Sequence, residues 1–571
     1  MVQAEPAGAP ERDERVRRVL LWAERLAVVV LLLAALVPRT KDLDSTWDRE
    51  FEGFQGTFFA LCALNYERLG LGAYGGYPAL NVDLPTDPEV VPYLYPNHPP
   101  AVPIAAWAGL HLFGPEGWNT AWEDGAPPPP GSEMATRLPF LFAHVLALLA
   151  LWWCVRVVGD GRVALVALAL AASAPIEVLY ATLVNYENLV WPPLLLGVAF
   201  QMRALRSGRL RDLLFAGAAF LAAACVTFFP AFLVPPLFLQ AWLARGFRRG
   251  VATGFVLSVA ALIPPLVHGA WVRHVLPTQE QGDLATRVGK MMGPMLDGDH
   301  PVSEWARRQA VRLEHYFTMP LLMLAVAGLV VLLVRFARGD REQRTLRPSP
   351  GIPLLVGGFL VLFIFYRHTW DGAGARDGQT VFLMNVAPGI VVLAAEALGA
   401  LGRKLLHLRG GEGPLIAVTM GFVLLGLVRA GTIRHDWRDP GPQDDPSLEV
   451  GPAAPLPATV GVQIAELLPA GTVGLYPQAM SLNIAVSYYA WRTLLPATPA
   501  TYDLALLRAK EAYGLKDHPV LLLIPKAPPP YAAASVSEIR AILDANLEMV
   551  DETELWELWP PMPTAADGTD D

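Results

Sequence analysis

Asp48, Glu50 and Glu52 fall within one five-residue stretch, and the tetrad Asn97, His98, Pro99, Pro100 follows downstream. A positioned carboxylate takes the proton from a hydroxyl nucleophile, and an imidazole or guanidinium offsets charge on a phosphate leaving group. Asp48 and Glu52 are four apart and share a face if the segment is helical, whereas Glu50 then points elsewhere. Taken singly, an exterior acid of this kind is more often a solvated surface residue. Their clustering ahead of a proline pair is what marks them as candidate bases.

The elements that must position them are membrane helices. Hydrophobic residues make up 53% of the 571 residues and charged ones 17%, with a mean hydropathy of +0.36, beyond the usual soluble range. Apolar runs suited to hydrocarbon lie near 20–37, 138–156, 162–180, 188–204, 212–228, 231–245, 251–269, 318–336, 352–366, 381–401 and 414–430. They predict about 11 spans, with 212–245 the weakest pair. Leu36, Val37 and Pro38 make a poor cleavage site, so the first run is expected to be a retained span rather than a signal peptide.

Basic residues cluster before the first run (Arg12, Arg15, Arg17, Arg18) and in alternate loops: Arg203 to Arg211, Arg245 to Arg249, Arg335 to Arg347, and Arg403 to Arg409. That pattern predicts a cytoplasmic amino terminus and, with an odd span count, an exterior carboxyl terminus. Three blocks follow: a cytoplasmic terminus 1–19, a transmembrane module 20–430 with a first exterior loop 38–137, and an exterior soluble domain 431–571.

Within the first loop, Phe51, Phe54, Phe58, Phe59 and Leu61 to Leu64 recur at near-helical spacing, which predicts a helix lying in the membrane interface. Val102 to Phe113 forms a second such piece, too short to span. In the tail, helix-like and strand-like runs alternate, with Val520 to Ile524 the clearest strand, predicting a small α/β layer domain.

Other signals are weak. Cys62, Cys154 and Cys225 suit small core residues rather than a disulfide framework or a metal site. The net charge of −9 lies on exterior segments and offers nucleic acid no basic patch. Asp297 to His300 reads as a loop turn, and Gly372 to Gly374 opens no βαβ unit for a dinucleotide.

At residues 98–114 (HPPAVPIAAWAGLHLFG) and 132–148 (SEMATRLPFLFAHVLAL), the chain resembles the GT-C membrane glycosyltransferases. The likeness is to the branch of protein O-mannosyltransferases and the lipid A aminoarabinose transferase. It covers residues 20 to about 205; beyond them only the hydropathy profile and the exterior tail agree. The resemblance implies a GT-C-like polytopic α-helical membrane enzyme with a C-terminal exterior α/β domain, seated in a bacterial-type inner membrane. It further implies transfer of a sugar from a polyprenyl phosphate, without a firm cofactor, to an acceptor glycan, lipid or protein. A divalent metal stays open, with no metal ligands assigned.

The family's first-loop acid falls near Gly53 to Gln55, none of them acidic, so Glu52 is the nearest carboxylate, ahead of Glu50 and Asp48. The second exterior acid corresponds to Glu187 in NYENLVWPP; helix capping by Asn185 with Glu187 in the first turn is the alternative. His98 occupies a position where relatives often carry Lys, linked by resemblance to the donor phosphate. Arg137, Arg367 and Arg376 could offset the same charge, although Arg137 reads equally as a headgroup anchor. The competing class is a transporter or lipid flippase without glycosyl transfer, which would place ionisable groups at the bilayer midplane. Glu24, Glu177 and Glu396 lie near span ends and only His144 near a centre, which favours the enzyme.

Overall fold

The computed structural model describes residues 9–41, 43–47, 51–79, 98–120, 128–275, 301–338, 349–365, 378–405 and 412–438. In the tail it describes 457–468, 472–477, 493–497, 520–526 and short pieces between 536 and 559. The chain divides into two compact units. The first comprises residues 1–42, 140–182 and 186–439; the second comprises 43–139, 183–185 and 440–571.

The first unit is helical. It holds α1 (Ala9–Arg39), most of α4 (Ser132–Val158), α5 (Gly161–Ser173), α6 (Pro175–Leu179) and α7 (Tyr186–Ser207). There follow α8 (Leu210–Ala224), α9 (Pro230–Arg245), α10 (Phe247–Val275), α11 (Val302–Phe317), α12 (Met319–Arg338), α13 (Gly351–Ile364), α14 (Ala387–Leu405) and α15 (Glu412–Arg438). Hydrocarbon supplies no hydrogen-bond partner, so a spanning backbone must close its bonds within each helix. Every predicted apolar run falls on a helix of this set. Among the described residues, five helices are long and apolar enough to cross a membrane: Arg18–Arg39, Ser132–Val158, Phe247–Val275, Met319–Arg338 and Gly413–Arg434.

The remaining runs form helices that are shorter or less apolar. The run 162–180 is broken into α5 and α6 at Ala174 and Pro175, because Pro175 lacks the amide needed to continue α5. Gly208 at φ +70° and Gly246 at φ +90° make the tight turns that fold α7 onto α8 and α9 onto α10. Cys225 corrects one expectation: it caps the end of α8 and is exposed, while Cys62 and Cys154 are buried.

Arginines gather at one end of this bundle. Arg245 donates to the Leu205 and Arg206 carbonyls at 2.6 and 2.7 Å, and Arg249 to Gly208 at 3.0 Å, covering the carbonyl end of α7. Glu24 of α1 pairs with Arg156 of α4 at 2.7 Å, and Arg335 of α12 with Glu396 of α14 at 3.3 Å. Two of the three glutamates read from sequence as lying near span ends, Glu24 and Glu396, are thus paired with arginines of neighbouring helices.

Close helix contact rests on glycine. A Cβ on Gly328 of α12 would lie 1.8 Å from the Leu393 carbonyl oxygen of α14, and one on Gly426 of α15 would lie 2.3 Å from that of Ser173 in α5. Small residues permit such backbone approach where lipid provides no hydrophobic drive.

The second unit contains α2 (Phe51–Leu69), α3 (Ala101–Phe113), the opening residues of α4, and the tail. The tail carries α16 (Pro457–Leu467) and strands β1 (Val473–Pro477), β2 (Thr493–Ala497), β3 (Val520–Pro525), β4 (Asp551–Glu552) and β5 (Trp556–Trp559). They form one sheet in the order β2-β1-β3-β5-β4, with β2, β1 and β3 parallel and β5 and β4 antiparallel. The continuous apolar run predicted as a strand is the central β3, as burial on both faces of a parallel strand requires. Val460, Ile464, Leu467 and Leu468 pack on Leu523 and Leu558, giving the layer its own core.

Replacing Gly328 with Ala should destabilise the helical unit by about 1–3 kcal/mol, since the added methyl meets rigid backbone. Thermal unfolding in detergent should show a lowered Tm; an unchanged Tm would mean that α12 and α14 do not approach this closely.

Candidate active site

Of the first-loop acids, only Glu52 falls among the described residues, at the opening of α2. Glu52 occupies its second backbone position, whereas Asp48 and Glu50 lie outside the described residues, as do Arg367 and Arg376. The sequence predicts an interfacial helix here, and the structure corrects this. Phe59 to Leu64 and Tyr66 are buried on every side of α2, with Thr57 and Asn65. Ala60, Cys62 and Ala63 are small enough to let neighbours close over a face that an amphipathic helix would leave to lipid or water. The second predicted piece keeps its two-sided character. In α3, Val102, Ala106 and Leu110 are buried, while Ile104, Leu112 and Phe113 are exposed.

Polar bonds fasten the segments around α2. Asn65 Nδ2 donates to the Ala79 carbonyl at 2.8 Å, and the Tyr66 hydroxyl to Gly76 at 2.7 Å, pinning the chain that leaves the helix. Trp107 of α3 donates to Glu67 Oε2 at 2.9 Å. Burial pushes the Tyr77 hydroxyl up to about 12, so it stays protonated as a donor near neutral pH. His98 is half-buried three residues ahead of α3.

Arg137 sits in the first turns of α4 and is only 2% exposed. Its Nη1 donates to the Leu43 carbonyl at 3.1 Å and to that of Ser45, and the guanidinium carbon lies 4.0 Å from the Trp47 ring centroid. This is not the exposed anchor of a helix entry, because its charge is directed at the chain that leads toward the acids.

Glu187 lies in the first turn of α7 and is 1% exposed, which a solvated cap would not be. The Asn385 side chain hydrogen-bonds its carboxyl, while Oε2 has no partner among the described residues. The structure thus places Glu187 and Glu52 in different units.

The first unit also assembles a cluster that sequence reasoning missed. His144 Nδ1 lies 3.3 Å from Asn188 Oδ1 and 3.6 Å from Glu177 Oε2. Asn188 Nδ2 donates to the Tyr180 carbonyl at 2.9 Å, so its oxygen faces His144 and the imidazole must donate from Nδ1. These three line a small cavity with Leu148, Leu151, Trp191 and Met384. Arg39 donates to the Ala35 and Ala172 carbonyls, each at 2.8 Å, and Arg434 to Pro38 at 2.9 Å. His144 and Glu177 are 33 positions apart in sequence, with no shared motif to signal their meeting. Among the described residues no group of three or more His, Cys, Asp and Glu side chains gathers as metal ligands would.

Comparison with known proteins bears on the arrangement. Residues 130–271 match the family model described as dolichyl-phosphate-mannose-protein mannosyltransferase. No curated protein sequence matches the chain. Among solved structures, ArnT from Cupriavidus metallidurans bound to undecaprenyl phosphate is similar at 14% identity and a TM-score of 0.53, covering 94% of this chain and 98% of that one. The apo state of the same protein gives 14% identity and a TM-score of 0.50, covering 93% and 97%. The Archaeoglobus fulgidus oligosaccharyltransferase tethered to an acceptor peptide with an NVT sequon gives 13% identity and 0.50, covering 88% of this chain and 69% of that one. At such identities the likeness establishes fold alone, and it extends over nearly the whole chain. The chain therefore resembles the GT-C membrane glycosyltransferases in fold as it does in its loop motifs, and it is an integral membrane protein of that architecture.

Proposed function

We propose that the protein transfers a sugar from a polyprenyl phosphate to an acceptor hydroxyl at the exterior face of the membrane. The observation that carries this reading is the likeness, over 94% of the chain, to an ArnT structure holding undecaprenyl phosphate. It is supported by the position of Glu52 at the opening of a helix fastened by buried hydrogen bonds. Glycan, lipid and protein are the acceptor classes that the resemblance offers.

In this mechanism a first-loop carboxylate, Glu52 or Asp48, takes the proton from the acceptor hydroxyl as its oxygen attacks the anomeric carbon. The bond from that carbon to the phosphate oxygen breaks, and its electron pair leaves with the polyprenyl phosphate. Attack opposite the leaving group inverts the anomeric centre. A phosphate leaves without being protonated, so one base suffices where a glycosidase needs an acid as well. His98, Arg367 and Arg376 would offset the phosphate charge. Glu187, buried with its Oε2 lacking a partner among the described residues, is assigned to substrate binding, as the resemblance implies.

The exterior location proposed for the tail, whose residues 431–438 continue α15 in the helical unit, rests on the alternating basic loops, of which 203–211 and 245–249 meet at one end of the bundle. In inverted inner-membrane vesicles the tail should resist added protease. Cleavage there, with resistance in vesicles of the opposite sense, would reverse the assignment.

The donor class predicts that purified protein consumes undecaprenyl-phosphate-linked sugars extracted from host membranes, releasing undecaprenyl phosphate, and needs no nucleotide sugar. Mass spectrometry of envelope glycans with and without the gene would identify the product. Transfer from a nucleotide sugar in lipid-free conditions would refute the donor assignment.

Glu52→Gln or Asp48→Asn should lower turnover by roughly 10²-fold or more, the contribution of a positioned general base. Glu50→Gln should be milder. Expression and undecaprenyl phosphate affinity should change little, because the amides keep shape and lose only basicity. Near-normal turnover in both variants, with Glu187→Gln inactive, would move the base to Glu187 and sink the first-loop assignment.

A further inference from the structure

Trp47 immediately precedes the acidic stretch, is fully buried, and is contacted by both Arg137 and Gly56. The Arg137 guanidinium, 4.0 Å from the ring centroid, also donates to the Leu43 and Ser45 carbonyls. Gly56 of α2 also abuts the ring: a Cβ there would fall 2.0, 2.3 and 2.5 Å from three carbons of the indole six-membered ring. The indole therefore rests against helix backbone at a residue with no side chain to hold it off. Gly56 and Glu52 are four positions apart on α2, hence on one face of that helix.

Ordinary core packing would not call for this chemistry. A buried guanidinium carries a large desolvation penalty that an apolar side chain of similar size avoids, so Arg137 is poorly explained as filler. What Arg adds is a flat, weakly hydrated guanidinium that lies over an aromatic face while its Nη1 holds two carbonyls, and the compact, strongly hydrated Lys ammonium is a poor substitute over the ring. All these residues belong to the same compact unit.

We propose that Trp47, Gly56 and Arg137 form a clamp that sets the opening turn of α2, and with it the Glu52 backbone, making the three positioning residues for the transfer step. The inference rests on the transferase function proposed above. It assigns Arg137 to the protein's own loop rather than to the donor phosphate. Misplacing a catalytic group by a fraction of its working distance costs turnover without loss of binding, because the ground-state contacts are made elsewhere.

The test uses the full chain in nanodiscs, with three readouts: turnover of extracted undecaprenyl-phosphate-linked sugars, binding of undecaprenyl phosphate, and hydrogen exchange over residues 43–47 and 51–59. Gly56→Ala should lower turnover about 10-fold or more, leave undecaprenyl phosphate binding unchanged, and speed exchange in both segments. Adding Trp47→Phe, which removes the carbons that the new methyl would strike, should restore most of the turnover and protection. Arg137→Lys should resemble Gly56→Ala.

The clamp is overturned if Gly56→Ala and Arg137→Lys keep normal exchange and turnover, or if the double variant is no better than Gly56→Ala alone. It is equally overturned if Arg137→Lys weakens undecaprenyl phosphate binding with exchange unchanged, for then Arg137 is a phosphate ligand. Should Arg137→Lys fail to fold, the Gly56 and Trp47 pair decides the matter. Faster exchange in the clamp variants together with full turnover by Glu52→Gln would instead defeat the base assignment and leave the clamp standing.

Discussion

Backbone amides and carbonyls inside hydrocarbon have no solvent to bond, and much of this molecule is arranged to satisfy that condition. Each apolar run closes its own hydrogen bonds as a helix, and the chain turns only where glycine or proline makes turning possible, as at Gly208, Gly246 and Pro175. Once the backbone is satisfied, helix association depends on how closely the rods approach. Gly328 against Leu393 and Gly426 against Ser173 show contact to the limit of backbone thickness.

The same constraint governs the charges. An ionisable group within the helical unit has to find its partner inside the protein, and Glu24 with Arg156 and Glu396 with Arg335 do so between helices. His144, Glu177 and Asn188 make a third such arrangement, in which the Asn188 amide selects the imidazole tautomer. These pairs account for ionisable residues in apolar runs by neighbouring partners within the helical unit.

The chemistry proposed above belongs to the polar segment between α1 and α4. That segment is held more firmly than its composition promises. Helix α2 is buried through its middle turns, its exit is pinned by Asn65 and Tyr66, and its entrance lies against Trp47 under Arg137. A loop that has to deliver a carboxylate to a reacting hydroxyl gains from such rigidity, since the base acts only within hydrogen-bond reach of the proton it removes.

The sequence by itself determined the membrane character, the placement of every apolar run on a helix, the short helix α3, and the strand core of the tail, because burial periodicity and run length are local properties. It also determined which residue types were available for chemistry: the acids at 48, 50 and 52, the prolines after His98, and the arginine at the entry to α4. Tertiary structure alone decided what those residues touch. Arg137 and Trp47 are 90 positions apart, and His144 and Asn188 are 44 apart, so no spacing rule brings them together. The burial of α2 was illegible for the same reason. Phenylalanine and leucine at helical spacing look alike whether one face or all faces are covered, and only the neighbours supplied by distant parts of the chain settle which.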